Sequence, residues 1–198
     1  MNVPWLALPA TGLVVLVLAV RGARGLTIPG WEVRVFHAVN GLPNFLYPLL
    51  WLPMQLGNLV VGTVVGLLVA FAAGDWIVAI GVVLAVLSKI VIERFIRRQM
   101  QPYLTIRVRP GTSQSGAILR GDVPPAGPSF PSGHIILVAA VGAVVAPVLP
   151  LGWVWLPLLC TLLVMTGRVY VGAHNPLDVL GGLGAGLLLG GVLGALAR

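Results

Sequence analysis

The sequence predicts an all-α integral membrane protein, a bundle of six transmembrane helices with a short interfacial helix and one long polar loop. Three observations predict it. First, 58% of the 198 residues are hydrophobic and only 9% are charged, whereas soluble domains run near half apolar and about a quarter charged. Such a chain cannot cover a water-facing surface with polar groups. Second, apolar segments recur along its whole length. Third, the polar residues are gathered into a single long connection.

The six segments are Trp5–Val20, Leu46–Phe71, Trp76–Ile92, His134–Leu149, Trp153–Met165 and Leu177–Ala197. A crossing takes roughly 20 apolar residues, so the first, fourth and fifth are short and their ends are expected to shift. No basic residue precedes the first segment and no A-x-A site follows it, so it is expected to remain as a span and not be removed as a signal peptide. Between the first two segments, Trp31–Leu42 (WEVRVFHAVNGL) places Trp31, Val35, Phe36, Val39 and Leu42 at helical spacing, with Glu32, Arg34 and Asn40 largely elsewhere around the turn. That pattern suits an amphipathic helix lying in the interface, with His37 as a surface residue.

The long polar connection, Arg94–Pro131, holds six arginines and is punctuated by glycine and proline, as irregular structure is. Other connections are short, such as AAGD around Gly74 and PLG around Leu151. The last segment carries Gly182, Gly186, Gly190 and Gly194 on one helical stripe. Small residues at this spacing let helices approach closely; packing within the chain is the first expectation and a homo-oligomer face the second. No second domain and no internal repeat is visible, so residues 1–198 are expected to form one integral-membrane domain.

Cys160, the single cysteine, lies in an apolar segment and is expected to be a packing residue. The carboxylates are Glu32, Asp75, Glu93, Asp122 and Asp178, and the histidines are His37, His134 and His174. A two-metal hydrolase needs a cluster of such groups, so chemistry without a metal or other cofactor is expected. The net charge of +7 suits a basic face against anionic lipid and phosphate, and no nucleic-acid partner is expected.

Alternating crossings put three sites on one face: the region of Arg94, the start of the fourth segment at His134, and the junction Arg168–Asp178. Ionisable residues at such positions are functional candidates. In GRVYVGAHNPLD (Gly167–Asp178), Asn175 can cap a helix that has Pro176 at its first position. His174 then stands just outside the helix and Asp178 in its first turn. The carboxylate can there reach one imidazole nitrogen and leave the other as a nucleophile; the plainer alternative is a capping Asp and an interfacial His. Arg168 presents a planar fork suited to phosphate, and Arg94, Arg97 and Arg98 add cations. Ser132 and the Gly133 amide can cradle an anion at a helix start, and His134 can act there as a general acid.

PSGH at Pro131–His134 and RVYVGAHNPLD at Arg168–Asp178 resemble the second and third signatures of the type 2 phosphatidic acid phosphatase (PAP2) superfamily. The third signature reads S-R-x5-H-x3-D, and the chain matches it from Arg168 onward, with Gly167 in place of the serine. The first signature, K-x6-R-P, finds its best register at Arg94, Gln101 and Pro102, where Arg replaces Lys and Gln replaces Arg. Arg97 or Arg98 could then supply the missing cation, while Lys89 lies one turn too early and is expected to snorkel. A lost charged contact to a phosphoryl group costs about 2–4 kcal/mol of transition-state stabilisation, by analogy with a lost oxyanion donor.

The resemblance implies a metal-independent membrane lipid-phosphate phosphatase. His174 would form a phosphohistidine, Asp178 would orient it and His134 would protonate the leaving group. Ser132, Gly133, Arg168, Arg94, Arg98 and Gln101 would hold the phosphoryl oxygens. The implied substrates are polyprenyl phosphates or diphosphates, phosphatidic acid or phosphatidylglycerol phosphate. A lipid phosphotransferase on the same scaffold and a non-catalytic binder of lipid phosphates are the competing readings. Positive-inside counting puts the basic face in the cytoplasm, whereas the resemblance implies an extracytoplasmic site in a bacterial plasma membrane; the latter is the expectation taken forward.

Overall fold

The structure is a computed structural model that describes residues 7–25, 27–100 and 107–196. The described residues fold into α1 (Ala7–Ala23), α2 (Gly30–Asn40), α3 (Tyr47–Met54), α4 (Leu59–Ala72), α5 (Trp76–Met100), α6 (Pro110–Ser113), α7 (Gly133–Val145), α8 (Leu156–Tyr170) and α9 (Pro176–Leu196), with short 3-10 turns between some of them. Their sole β-type pairing is an isolated antiparallel bridge between Val108 and Pro128.

α7 forms the centre. All of its residues except His134 are buried, so this short helix is sheathed by protein. α9 lies between α7 and α1. A Cβ added at Gly186 would stand 2.7 Å from the Ala139 Cβ, and one at Gly182 would stand 2.7 Å from the Ser132 carbonyl. Gly190 likewise abuts Ala140. The glycine stripe is therefore used inside the chain against α7, which takes that face away from a homo-oligomer. The opposite face of α9 meets α1, where Gly184 abuts Leu16 and Gly12 abuts Leu188. Facing outward, Leu18, Leu68, Ile80, Val91 and Leu158 remain at least 59% exposed, a girdle that a bilayer would cover.

Among the described residues three spans, Trp76–Phe95, Leu151–Tyr170 and Pro176–Leu196, are long and apolar enough to cross a membrane. The expected second crossing, Leu46–Phe71, is instead broken: Asn44–Gly57 and Leu59–Ala72 meet at 74°. Asn58 explains the break. Its extended backbone ends the first arm, and its side chain accepts the Val60 and Val61 amides at 2.9 and 3.4 Å to start the second. Counted as one broken span, this pair makes a fourth; Ala7–Ala23 and Gly133–Val148 are apolar but shorter.

Two further expectations are corrected. α5 runs on through Arg94 to Met100, because no glycine or proline interrupts ERFIRRQM, a run rich in good helix formers. α2 also packs the other way round. Glu32, Phe36 and Asn40 are its buried residues, while Trp31 and Val35 are each 44% exposed. These three lie four residues apart on one stripe, and both polar members have buried partners. The Asn40 amide donates to the carbonyls of Ile118 and Tyr170 and accepts the Ile118 amide, all within 2.9 Å. His37 is half-buried, edge-on to Phe36.

The polar loop is pinned at two places. Arg120 donates to Asn44 Oδ1 and to the carbonyls of Asn40, Tyr170 and Leu42, with its guanidinium 4.1 Å above the Tyr170 ring. Nearer the site, Arg107–Arg109 runs antiparallel to Gly127–Ser129: the Arg109 amide donates to the Gly127 carbonyl and the Ser129 amide to the Arg107 carbonyl, both at 3.0 Å. In such an extended run residues two apart share a face, so Arg107 and Arg109 both turn towards the α8–α9 junction.

Candidate active site

The junction is built by a helix stop and a helix start. Gly172 has φ +76°, the left-handed conformation that ends helices cheaply. The turn lets the Ala173 and His174 amides donate back to the Arg168 carbonyl at 3.0 and 3.3 Å, which sets Arg168 and His174 side by side. Asp178 then closes the start of α9 by accepting the Asn175 amide on Oδ2 at 2.8 Å. Asn175 begins that helix through its carbonyl, as expected, but its side chain does not cap it. It binds the loop instead, with Oδ1 accepting from Gln114 at 2.8 Å.

Asp178 Oδ2 lies 3.9 Å from His174 Nδ1, inside ion-pair range and longer than a hydrogen bond; such contacts are often long without substrate. The α7 start meets the same place, because the Ser132 amide donates to the Asp178 carbonyl at 3.0 Å. His134 rests on Gly57, where an added Cβ would come within 2.7 Å of the His134 Cβ. The break between α3 and α4 is what brings Gly57 there.

Ser132, Gly133, His134, Arg168, His174 and Asp178 thus lie around one place. Four buried polar atoms lack a hydrogen-bond partner among the described residues: Ser132 Oγ, Arg168 Nε, His174 Nδ1 and Arg107 Nε. Buried polar atoms are nearly always satisfied; His174 Nδ1 looks to Asp178, while Ser132 Oγ and Arg168 Nε are the two that an anionic ligand could satisfy. No three His, Cys, Asp or Glu side chains come together as a metal site needs, among the described residues.

The charges around the histidines differ from the predicted set. Arg94 and Arg98 are exposed; Gln101 and Pro102, with the side chain of Arg97, lie outside the described residues. The cations that bear on His134 are Arg168, Lys89 and Arg109, and those that bear on His174 are Arg168 and Arg109. Lys89 does not snorkel outward: it is mostly buried and pairs with Glu93 at 2.7 Å. The Glu93 carboxylate lies against Gly133, 2.5 Å from where a Cβ would stand. Arg109 donates to the Ala173 carbonyl at 3.2 Å and is followed by Pro110, so an Arg-Pro pair does enter the site, farther along the chain than Gln101–Pro102. RVRP at 107–110 is the signal that could have found it. Burial first, then the charges of Arg168, Arg109 and His134, holds the His174 imidazole well below its ordinary pKa, which keeps it neutral.

The PAP2 superfamily model matches residues 75–197, from the cap of α5 through α9. The chain belongs to the PAP2 superfamily. A stretch of 63 residues is 46% identical to an undecaprenyl-diphosphatase of Sulfolobus acidocaldarius, covering 31% of this chain and 28% of that protein's length. Two solved structures share the fold. A transmembrane PAP2-type phosphatidylglycerolphosphate phosphatase from Bacillus subtilis superposes with TM-score 0.74 at 23% identity, over 95% of this chain and 94% of that one. Aquifex aeolicus LpxE superposes with TM-score 0.68 at 21% identity, over 87% and 97%. PAP2 membership and the apolar spans make the chain an integral membrane protein of this fold.

Proposed function

We propose that this PAP2 protein is a membrane lipid-phosphate phosphatase that works through a phosphohistidine at His174. The observation that carries the reading is the junction itself: a neutral, buried His174 beside Asp178 and Arg168, facing His134 at the start of α7. With Nδ1 turned towards Asp178, the Nε2 lone pair is free to attack phosphorus. The bond to the leaving oxygen breaks, its electron pair stays on that oxygen, and His134 delivers the proton. Water then attacks the phosphohistidine, His134 takes its proton, and inorganic phosphate departs with His174 regenerated.

Ser132, the Gly133 amide, Arg168, Lys89 and Arg109 hold the non-bridging oxygens in this reading. Lys89 and Arg109 take both cation positions of the first signature in this reading, including the one that Gln101 would leave neutral, which argues against a non-catalytic role. Substrates are a polyprenyl phosphate or diphosphate, phosphatidic acid or phosphatidylglycerol phosphate; the names of the Sulfolobus and Bacillus relatives support this class. The proposed topology has six crossings, with the site at headgroup level on the extracytoplasmic face of a bacterial plasma membrane. The test is phosphate release by detergent-purified protein from polyprenyl and glycerolipid phosphates in EDTA, with His174→Ala alongside. We expect turnover that survives EDTA and falls on the order of 10⁴-fold or more in the variant. Turnover unchanged in the variant would refute the reading.

A further inference from the structure

Asp178 is itself held by a buried ionic chain that the PAP2 signatures do not contain. Arg107 donates from Nη2 to Asp178 Oδ1 at 3.0 Å and, through both terminal nitrogens, to Glu32 at 2.9 and 2.7 Å. Glu32 Oε1 also accepts the Leu177 amide at 2.9 Å, in the first turn of α9. Glu32 and Asp178 are fully buried and Arg107 is 2% exposed. Burial by itself would lower the Arg107 pKa, but Asp178 and Glu32 more than offset it and raise the value, so the guanidinium stays charged.

We propose that Glu32 and Arg107 are positioning residues for the nucleophile, acting through Asp178. This rests on the reading of His174 as nucleophile. Arg107 occupies Oδ1 and the Asn175 amide occupies Oδ2, which fixes the carboxylate plane with Oδ2 towards His174 Nδ1. Glu32 sets the charge. An Arg107–Asp178 pair alone would be neutral and would offer little to the imidazole. With Glu32 the trio carries one net negative charge, opposing the Arg168 and Arg109 cations that face His174. A His174 phosphorylated on Nε2 keeps its proton on Nδ1, so this charge favours the intermediate over the free enzyme. The bidentate Glu32–Arg107 contact spans α2 and the loop, and breaking one partner of a buried pair leaves the other uncompensated.

The groups that face His174 are Asp178 from α9, Arg168 from α8, Arg109 from the loop and His134 from α7, with Glu32 of α2 reaching it through Arg107. Glu32→Gln removes a negative charge, so protonated His174 is disfavoured and the acid limb of the rate profile moves to lower pH. Arg107→Met removes a positive charge and moves that limb to higher pH. The decisive experiment is kcat, KM and pH profile for wild type, Glu32→Gln, Arg107→Met, Arg107→Lys and the double variant Glu32→Gln/Arg107→Met, in detergent, on one lipid phosphate. We expect kcat to fall on the order of 10–100-fold, as when an outer partner of an orienting group is lost, with KM within about twofold. Arg107→Lys restores the limb but only part of kcat. Should Arg107→Met fail to fold, the double variant leaves no unmatched guanidinium or carboxylate between α2 and the loop and is expected to keep the low kcat. Folded variants with wild-type kcat, or with limbs that shift together, overturn the assignment alone. Wild-type turnover that does not need His174 overturns the nucleophile reading and this assignment with it.

Discussion

Two arginine-bearing regions of this molecule look alike in composition and behave as opposites. On the α2 side, Arg120 donates four hydrogen bonds to oxygens within 3.0 Å and stacks on Tyr170. On the α8–α9 side, Arg168 is half-buried with its Nε enclosed and unpartnered among the described residues, next to an unpartnered Ser132 hydroxyl. A guanidinium with four donors engaged by protein oxygens is a clamp, because its removal orphans those oxygens. Arg168 Nε has no such acceptor among the described residues, and in the proposed reading a phosphoryl group supplies it. The difference separates scaffold from site better than charge density does.

The strongest way to break this comparison is to remove each guanidinium in turn. Arg168→Met should lower kcat/KM by about 10²–10³-fold, the size of a lost oxyanion donor, and leave the thermal midpoint nearly unchanged or raised, since an uncompensated buried charge is lost. Arg120→Met should instead cost about 3 kcal/mol of stability from several orphaned acceptors and leave KM unaltered. Kinetics and thermal unfolding on both variants check it; equal effects on stability would erase the distinction.

A smaller contrast sharpens the assignment of the cations. Lys89→Met and Arg109→Met should each reduce kcat/KM about 10–100-fold, as the loss of one hydrogen bond to a charged group would. Arg94→Met, on the exposed face of α5, should change it by less than about twofold. Steady-state assays of the three variants decide it, and a large Arg94 effect would return the first signature to the Arg94 register.

The smallest effect is in pH. His174 has a folded pKa well below its unfolded value of about 6.5. Between the two values the unfolded chain binds a proton that the folded chain does not, so stability rises with pH through that window. The stability is fully present above about pH 6.5 and is lost as pH falls, by at most about 1.4 kcal/mol per pH unit for one group. Thermal midpoints from pH 7.5 to 5 should fall more steeply for wild type than for His174→Gln; parallel curves would contradict a neutral buried His174.

Motifs within one short stretch were legible in the sequence, because the backbone between their members leaves little freedom. PSGH sits at a helix start in the structure as its residues demand, and His174 and Asp178 flank the start of α9 where Pro176 and Asn175 place them. α2 was misread because apolar periodicity weighs Glu32 and Asn40 as outward, and only the distant partners Arg107, Ile118 and Tyr170 make that stripe the buried one. Local pattern assigns Lys89 to snorkelling and does not single out Arg109, for a related reason. Their spacing fits no short signature, and it is the pairing of 107–109 with 127–129 that returns the loop to α7.

The sequence by itself determined the apolar helical class, the order of the apolar segments and the local placement of the two histidines at helix starts, since hydropathy and turn residues act over a few neighbours. Tertiary structure decided which arginines clamp and which face the ligand, which side of α2 is inside, and that the glycine stripe of α9 serves α7. Those outcomes depend on contacts between residues far apart along the chain, such as Arg120 with Asn40 or Gly186 with Ala139, which no local pattern encodes.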